Sequence, residues 1–327
     1  MRRRRFLHGA ALAASAAGLP AVPWAQPVAA AFPKQPVKMI VPFPPGGPTD
    51  TMARLIAVKL QEVWGGQTVL VDYKPGAGTI IGMDYIAKSA PDGYTFGIAN
   101  SSLAVNPYLH KTLPYDTARD LAGITQLVLL QQAIVARVDA PFNNLAEMIA
   151  WAKKNPGKLT YGTPGAGSTT HLGGELLKRE AGFDMLHSPF KGSAPAHTEL
   201  MGGRIDIVID PFLSVIPYVQ AGRMKMIATL GDKRVPGYDF PIAAETVPNF
   251  SVIGMLGFVA PAATPRPVLD RIQADTARVL AVPETRKRIE DLGMQVVASS
   301  PAQFDALLRS EMKRWSKVVA DARISLD

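Results

Sequence analysis

The stretch that decides the fold is Val41-Pro-Phe-Pro-Pro-Gly-Gly-Pro-Thr-Asp50, which completes the short apolar segment Val37–Val41 and precedes the amphipathic segment 51–60. The apolar segment is typical of a buried parallel strand. The prolines end that strand because proline has no N–H to donate to a ladder. Thr49 and Asp50 are good N-cap residues, and apolar residues then recur at helical spacing. The stretch therefore predicts a strand, a tight turn and a helix.

The turn between this strand and this helix suits an anion. Gly46 and Gly47 let the backbone approach a ligand without a Cβ in the way. The helix that follows directs free N–H groups and the positive end of its dipole at the turn. A plain strand-to-helix turn without a ligand explains the same residues, so both interpretations stay open.

Both halves of the chain carry the motif Pro-Gly-Ala-Gly, at 75–78 and 164–167, each between a predicted strand and a predicted helix. Neither is a nucleotide loop: Ile81 stands where the dinucleotide fingerprint needs its third glycine, and a G-x-x-x-x-G-K-[ST] loop is absent. Ser168 is not in a G-x-S-x-G nucleophile elbow. Ser168 and Thr169 instead offer hydroxyls at a helix start. Two helix N-termini, one from each half, can therefore hold one carboxylate between them; ordinary N-capping is the alternative.

Residues 1–25 predict an export signal. Arg2–Arg5 form a basic region, and Phe6–Leu19 is an apolar run too short to span a bilayer permanently. Cleavage fits between residues 25 and 31. The R-R-x-F-L pattern fits a twin-arginine signal, and a general secretory signal stays open. We therefore expect a periplasmic protein.

The composition excludes several classes of function. Without the four arginines of the signal, the chain has 31 basic and 27 acidic residues, a scattered net charge of about +4 that is too mild for nucleic-acid binding. The absence of cysteine excludes disulfides, thiolate chemistry and cysteine-bound metals. Four histidines follow the signal, His110, His171, His187 and His197, and they do not have the spacing of metal ligands. We therefore expect no metal, and without a nucleotide loop we expect no cofactor.

Strand and helix signals alternate along the chain, which predicts an α/β fold of two lobes, each a mostly parallel sheet flanked by helices. We expect residues 32–130 with 252–327 to form lobe 1 and residues 131–251 to form lobe 2. The apolar run Gly123–Ala136 predicts a strand that passes between the lobes. Asp210 ends a predicted strand, where the ligand crevices of α/β proteins form. No second carboxylate for acid catalysis can be placed beside it.

Eight short motifs follow one another along the chain: Pro42-Phe-Pro-Pro-Gly-Gly-x-x-Asp50, Pro75-Gly-Ala-Gly78, Pro91-Asp-Gly-Tyr94, Leu113-Pro-Tyr-Asp116, Tyr161-Gly-x-x-Gly-x-Gly-Ser168, Phe190-Lys-Gly-Ser-Ala-Pro195, Gly202-Gly-Arg-Ile-Asp206 and Ala260-Pro-x-x-Thr-Pro265. Together they resemble the Bug (Bordetella uptake gene) or TctC family, the extracytoplasmic solute receptors of tripartite tricarboxylate transporters. The resemblance covers essentially the whole chain after the signal.

The resemblance implies a type 2 periplasmic binding protein fold that closes on a small organic carboxylate in the cleft between its lobes. It also implies membrane transporter subunits as partners and no enzymatic activity, and we expect a monomer. In the family, the first loop and the second glycine-rich loop hold one ligand carboxylate. Carried over to this chain, with Asp210 added from its strand-end position, the expected ligand-binding residues are Phe43, Pro45, Gly46, Gly47, Asp50, Ser101, Ser102, Gly165, Gly167, Ser168, Thr169, His171 and Asp210.

The chain departs from the family pattern at three places. Tyr73-Lys74 stands where relatives usually have Asn-Arg, and Leu103 and Met255 replace a histidine and a tryptophan near the expected cleft mouth. These two apolar side chains suit an apolar or aromatic ligand body. Two other functions stay open. An exported α/β hydrolase-like enzyme would need a nucleophile–base pair or an intact cofactor loop, and a signalling receptor would present its ligand to a kinase.

Overall fold

The computed structural model describes residues 32–322 together with Ile324 and Leu326. The predicted export signal, residues 1–25, and the predicted cleavage range lie outside the described residues. Within the part of the chain that is described, no helix combines the length and the apolar character that a membrane span needs.

The first third of the chain forms three parallel strands with helices between them. Its elements are β1 (Val37–Val41), α1 (Pro48–Val63), β2 (Val69–Tyr73), α2 (Ile80–Ala87), β3 (Thr95–Asn100) and α3 (Ser102–Leu109). β1 lies between β2 and β3 and pairs with both in parallel, as the alternation of elements predicts. The sequence pattern does not predict α3, because Pro107 signals a break although it lies inside this short, mostly buried helix.

A single long strand, β4 (Leu121–Ala136), joins the two halves of the fold. Through Gln131 it pairs antiparallel with β9 (Ile253–Pro261), and from Gln132 onward it pairs antiparallel with β7 (Ile207–Pro211). The predicted strand is confirmed, and it belongs to both parts of the sheet. The two glutamines lie where the strand changes partner and are 4% and 1% exposed, which is uncommon for this residue type.

The second half repeats the strand–helix alternation. Its elements are α5 (Leu145–Lys154), β5 (Thr160–Thr163), α6 (Thr169–Ala181), β6 (Leu186–Pro189), α7 (Ser193–Met201), β7, α8 (Phe212–Gln220) and β8 (Lys225–Thr229). β5 pairs in parallel with β6 and β7. The sheet as a whole is mixed, because β4 makes antiparallel pairs with β7, β8, β9 and the short β10 (Met294–Val296).

The remaining helices are α4 (Thr117–Asp120), α9 (Arg266–Ala281), α10 (Pro283–Asp291) and α11 (Pro301–Ala322). α11 packs against both halves of the fold. Near its start, Phe304 and Leu308 belong to an apolar cluster with Ile40 of β1. Near its end, Trp315 and Val319 belong to the cluster built around α5 and α6. The apolar stripe of this helix is therefore a packing surface, as its spacing predicts.

Candidate functional site

Three loops meet at one edge of the sheet in the first half of the fold. They follow β1, β2 and β3, whose carboxyl ends lie side by side because the strand order is β2-β1-β3. A Cβ added at Gly82 would lie 2.7 Å from the Cβ of Pro42, so α2 packs closely on the first loop, residues 42–50. Asn106 of α3 donates its Nδ2–H to the carbonyl of Gly78 at 3.0 Å. The three loops thus form one continuous surface.

The predicted residues of the first loop lie where it turns into α1. Gly46 has φ +95°, a conformation that favours glycine, and, adjacent residues aside, no atom in the described part of the chain lies within 4 Å of a Cβ built at Gly46 or Gly47. The helix begins at Pro48 with Gly47 as N-cap, so the prediction of Thr49 or Asp50 as cap is wrong. Proline occupies the first helical position because its missing N–H would have no partner there. Asp50 is consequently the third helical residue.

Asp50 holds the first loop with both carboxylate oxygens. Its Oδ2 accepts the Gly46 N–H at 2.8 Å, and its Oδ1 accepts bonds from the Tyr73 hydroxyl at 2.6 Å and from Arg54 Nε at 2.8 Å. Burial disfavours the charged form of Asp50, but these three bonds and the charge of Arg54 outweigh burial and lower its pKa. Asp50 is therefore an ionised group whose two oxygens are engaged within the protein.

Ser101 follows β3 and is the N-cap of α3, Ser102 is the first residue of that helix, and both are buried. The Ser101 hydroxyl accepts the Met255 N–H at 3.1 Å, which ties the first half of the fold to β9. Leu103 and Met255 are only 1% and 4% exposed and pack in the apolar cluster under α2. The expectation that these two side chains face the ligand is therefore wrong; they fill the core because β3, α3 and β9 converge there.

The second loop, residues 164–168, leads into α6. The Ser168 hydroxyl caps that helix by accepting the His171 N–H at 3.2 Å, and it donates to the Gly165 carbonyl at 2.7 Å. The Gly167 N–H donates to His171 Nδ1 at 3.1 Å. Thr169 is the first residue of the helix. The capping that was the alternative interpretation is therefore present, and it holds the loop in one shape.

One side of the second loop rests on the core and the other side is open. A Cβ added at Gly167 would lie 2.6 Å from Leu109 Cδ1 and 2.8 Å from Leu326 Cδ1. At Gly165 the nearest atom to such a Cβ is the Phe190 carbonyl oxygen, 3.9 Å away. The loop is therefore open to a ligand at Gly165 and closed by side chains at Gly167.

Two stacked histidines support the second loop from within the protein. The rings of His171 and His187 lie 3.9 Å apart with 13° between their planes. His187 Nε2 lies 2.7 Å from the Thr163 hydroxyl, which hydrogen-bonds the Gly165 carbonyl at 3.1 Å. Burial lowers the pKa of both histidines, and that of His187, which also faces His171 and Lys178, falls to about 3. Both imidazoles are therefore neutral at neutral pH, and His171 accepts a bond at Nδ1.

Asp210 lies at the end of β7 and is fully buried. Its Oδ1 accepts a bond from the Ser193 hydroxyl at 3.0 Å, and its Oδ2 lies 2.7 Å from His197 Nε2. Burial raises its pKa, although the bonds from His197 and Ser193 oppose that shift. Ser193 opens α7 next to the second loop, since the Gly192 N–H donates to the Pro164 carbonyl at 2.9 Å. Asp210 of β7 thus holds the start of α7 through its bonds to Ser193 and His197 of that helix.

The structure collects twelve of the thirteen predicted residues into two groups, one at each half's loop edge, and places Asp210 outside both groups, at the end of β7. Phe43, Pro45, Gly46, Gly47, Asp50, Ser101 and Ser102 lie around the ends of β1 and β3, and Gly165, Gly167, Ser168, Thr169 and His171 lie at the start of α6. Sequence reasoning missed Arg54, Tyr73, Thr163, His187 and Leu109, which support the two loops. Tyr73 and Thr163 are the last residues of β2 and β5, and this strand-end position could have identified them as candidate site residues. No sequence pattern identifies Leu109 as a candidate.

The two loops are built on one plan. In each, the third residue of the helix accepts the backbone N–H of the glycine that precedes the N-cap: Asp50 accepts from Gly46, and His171 accepts from Gly167. The side chain thereby holds the backbone that leads into the helix, in the manner of a capping box shifted by one residue. Among residues 32–322, 324 and 326, no group of three or more His, Cys, Asp or Glu side chains could hold a metal ion.

Comparison with known proteins gives a consistent result. The model of the family described as "Tripartite tricarboxylate transporter family receptor" matches residues 52–324. The "UPF0065 protein in tcbD-tcbE intergenic region" of Pseudomonas sp. (strain P51) is 34% identical over 326 residues, which cover 99% of this chain and 95% of that protein.

Two solved structures with ligands have the same fold. "R. palustris Rpa4515 with adipate" is 31% identical with a TM-score of 0.84 and covers 90% of this chain and 100% of its own. "MatC from Rhodopseudomonas palustris with bound malate" is 30% identical with a TM-score of 0.77 and covers 88% of this chain and 100% of its own. The predicted periplasmic binding protein fold is confirmed, and the chain belongs to the TctC family of tripartite tricarboxylate transporter receptors.

Proposed function

We propose that this protein is a periplasmic receptor that captures a small organic carboxylate between two lobes and delivers it to a tripartite tricarboxylate-type transporter. The observation that carries the proposal is the shared construction of the two glycine-rich loops. Each leads into a helix N-terminus, and each has its backbone fixed by the third residue of that helix. Free N–H groups at a helix start favour an anion, and two such starts favour a carboxylate shared between them.

The lobes of the proposal are residues 32–130 with 252–327 and residues 131–251. Closure is a hinge motion where β4 changes partner, near Gln131, and near Met255 of β9. The ligand stabilises the closed state because only that state brings both loops to the same carboxylate. The start of α11 packs with the first lobe and its end packs with residues of the second lobe, so this helix contacts both lobes.

The proposed ligand class is based on the hydrogen-bond donors of the two loops and on the ligands of two related proteins. Backbone N–H groups and the Thr169 hydroxyl suit a carboxylate without an arginine at the site, while the Ser168 hydroxyl, which donates to the Gly165 carbonyl, holds the loop in shape. The structures of two relatives of about 30% identity contain adipate and malate, which are both dicarboxylic acids. We therefore propose a C4 to C6 dicarboxylate as the first class to test.

An enzyme is the weaker alternative. Ser193, Asp210 and His197 contain the residue types of a catalytic triad, but the serine hydroxyl donates to the aspartate and not to the histidine. A serine nucleophile needs its own hydrogen bond to the histidine base. The aspartate at the centre of this group is also fully buried. This geometry favours a structural role for the three residues at the start of α7.

The binding proposal is tested by isothermal titration of the purified protein with malate, adipate and a panel of mono- and tricarboxylates. We expect saturable binding of at least one of them, and Ser168→Ala should weaken it about tenfold because the loop loses both the helix cap and the bond to Gly165. Ser310→Ala is the matched control, since the Ser310 hydroxyl is exposed on α11 and bonds only within its helix. Absence of binding across the panel, or equal affinities for wild type and Ser168→Ala, would contradict the proposal.

Delivery is tested separately, by uptake of the labelled ligand into cells that lack the receptor gene. Wild-type receptor should restore uptake and Ser168→Ala should not. Unchanged uptake without the receptor, together with a lost transcriptional response to the ligand, would indicate a signalling receptor instead.

A further inference from the structure

A chain of hydrogen bonds links an exposed arginine to the backbone of the first loop. Arg54 Nη2 donates to the Tyr73 hydroxyl at 2.5 Å, and that hydroxyl donates to Asp50 Oδ1 at 2.6 Å. Arg54 Nε donates to the same carboxylate oxygen at 2.8 Å. The other oxygen of Asp50 accepts the Gly46 N–H at 2.8 Å. In each of these four hydrogen bonds an N–H or O–H group donates and an oxygen accepts.

We propose that Tyr73 and Arg54 are positioning residues of the carboxylate site. They hold and neutralise Asp50, and Asp50 in turn fixes the Gly46 N–H, so that Asp50 serves the ligand without touching it. This inference rests on the proposed carboxylate-binding function and changes the role that the family resemblance implies for Asp50.

Charge explains why Asp50 needs these partners. An ionised aspartate can only accept hydrogen bonds, so it has nothing to donate to a ligand carboxylate and would repel it. The Asp50 side chain is 8% exposed, and Arg54, one helical turn further on, supplies the opposite charge. The second loop needs no cation, because the group that accepts the Gly167 N–H there is the neutral imidazole of His171 and not a carboxylate. The contrast between the loops indicates that Arg54 compensates Asp50 and is not itself the anion-binding group.

Tyr73 is the part of the network that joins two elements. It ends β2, whereas Asp50 and Arg54 lie on α1, so its hydroxyl fixes the helix start to the neighbouring strand. Its ring also lies 5.7 Å from the Arg54 guanidinium carbon, within cation–π range. Burial and the bond to Asp50 raise the pKa of the phenol, so it remains a donor at neutral pH. Phenylalanine at this position would keep the ring and remove only the donor.

The experiment compares Tyr73→Phe with wild type by isothermal titration with malate and with adipate. We expect the carboxylate affinity to fall about fivefold to tenfold, since a hydrogen bond to a charged group is lost. In the ligand-free protein, the amide hydrogen of Gly46 should exchange with solvent about tenfold faster, because the carboxylate that accepts it is less firmly held. Tyr85→Phe is the matched control: Tyr85 lies on α2, is 37% exposed, and should change neither quantity.

A double-mutant cycle separates positioning through Asp50 from a general structural effect. In an Asp50→Asn background, Tyr73→Phe should lower carboxylate affinity by less than twofold, since both changes act through the same carboxylate. The inference is overturned if Tyr73→Phe binds within twofold of wild type, if its effect persists in the Asp50→Asn background, or if Gly46 exchange is not accelerated. Failure of the wild type to bind any carboxylate would overturn the proposed function instead, and the exchange measurement would still test the network.

Discussion

The variant Gly167→Ala tests whether the second loop rests on the core as its contacts indicate. Gly167 has φ +72°, and alanine in this left-handed conformation costs about 1–2 kcal/mol. The added Cβ would lie 2.6 Å from Leu109 Cδ1 and 2.8 Å from Leu326 Cδ1. Leu326 is 37% exposed and can turn away, but Leu109 is buried and can shift only within a packed environment, so accommodating the added group costs a further ~1–3 kcal/mol. We expect the free energy of unfolding to fall by about 3 kcal/mol.

The matched control is Gly182→Ala at the other end of α6. Gly182 has φ +62°, and no atom lies within 4 Å of a Cβ built there. This variant therefore carries the conformational cost without the contact cost, about 1 kcal/mol. In a protein of this size, thermal unfolding should shift by about 5 °C for Gly167→Ala and by about 2 °C for Gly182→Ala. Urea unfolding gives the free energies directly.

A second pair of variants tests the contact between position 167 and Leu109. In a Leu109→Ala background one of the two close contacts of the added methyl group is removed, so Gly167→Ala should cost less than it does in wild type, and a double-mutant cycle measures the difference. Equal costs in the two backgrounds, or equal costs at positions 167 and 182, would refute the contact of the second loop with Leu109.

Two further predictions concern stability away from the loops. Trp64→Phe removes the buried bond from the indole N–H to Asp275 Oδ2 (2.7 Å) and should lower the free energy of unfolding by about 1–3 kcal/mol in urea titrations; no change would mean that Arg271 and Arg278 satisfy this carboxylate without the indole. Stability should also fall as pH drops from about 6.5 toward 3, because unfolded His187 takes up a proton near its ordinary pKa whereas the folded side chain, with pKa about 3, does not. Thermal scans should show a shallower decline for His187→Phe, and an identical pH slope in both proteins would contradict the assignment.

Local patterns predicted the fold because each strand–turn–helix unit is encoded within about thirty residues. The prolines and glycines of 42–47 end β1 and start α1 wherever the segment lies in space. The long strand β4 could likewise be recognised from its uninterrupted apolar run. The short helix α3 was missed because a proline, read alone, indicates a break, while burial against α11 allows this helix to form around Pro107.

The supporting contacts of the site could not be predicted from sequence because they join residues far apart in the chain. Leu326 reaches the second loop from the C-terminal segment, and Tyr73 reaches Asp50 from the neighbouring strand. Leu103 and Met255 look like ligand contacts at their motif positions, yet the convergence of β3, α3 and β9 buries both. Spacing gives no information on such packing, which depends on the assembled sheet.

The repeated construction of the loops could nevertheless have been found in the sequence. Gly-x-x-x-Asp at 46–50 and Gly-x-x-x-His at 167–171 place an acceptor three positions into a helix and a glycine just before its cap. The two acceptors differ in charge: Asp50 is ionised and brings Arg54 with it, whereas His171 stays neutral because it is buried against His187. Both solutions leave the loop backbone fixed without a bare negative charge beside the proposed anion. A negative but compensated acceptor in one loop and a neutral acceptor in the other therefore both meet the electrostatic requirement of the carboxylate site that we propose.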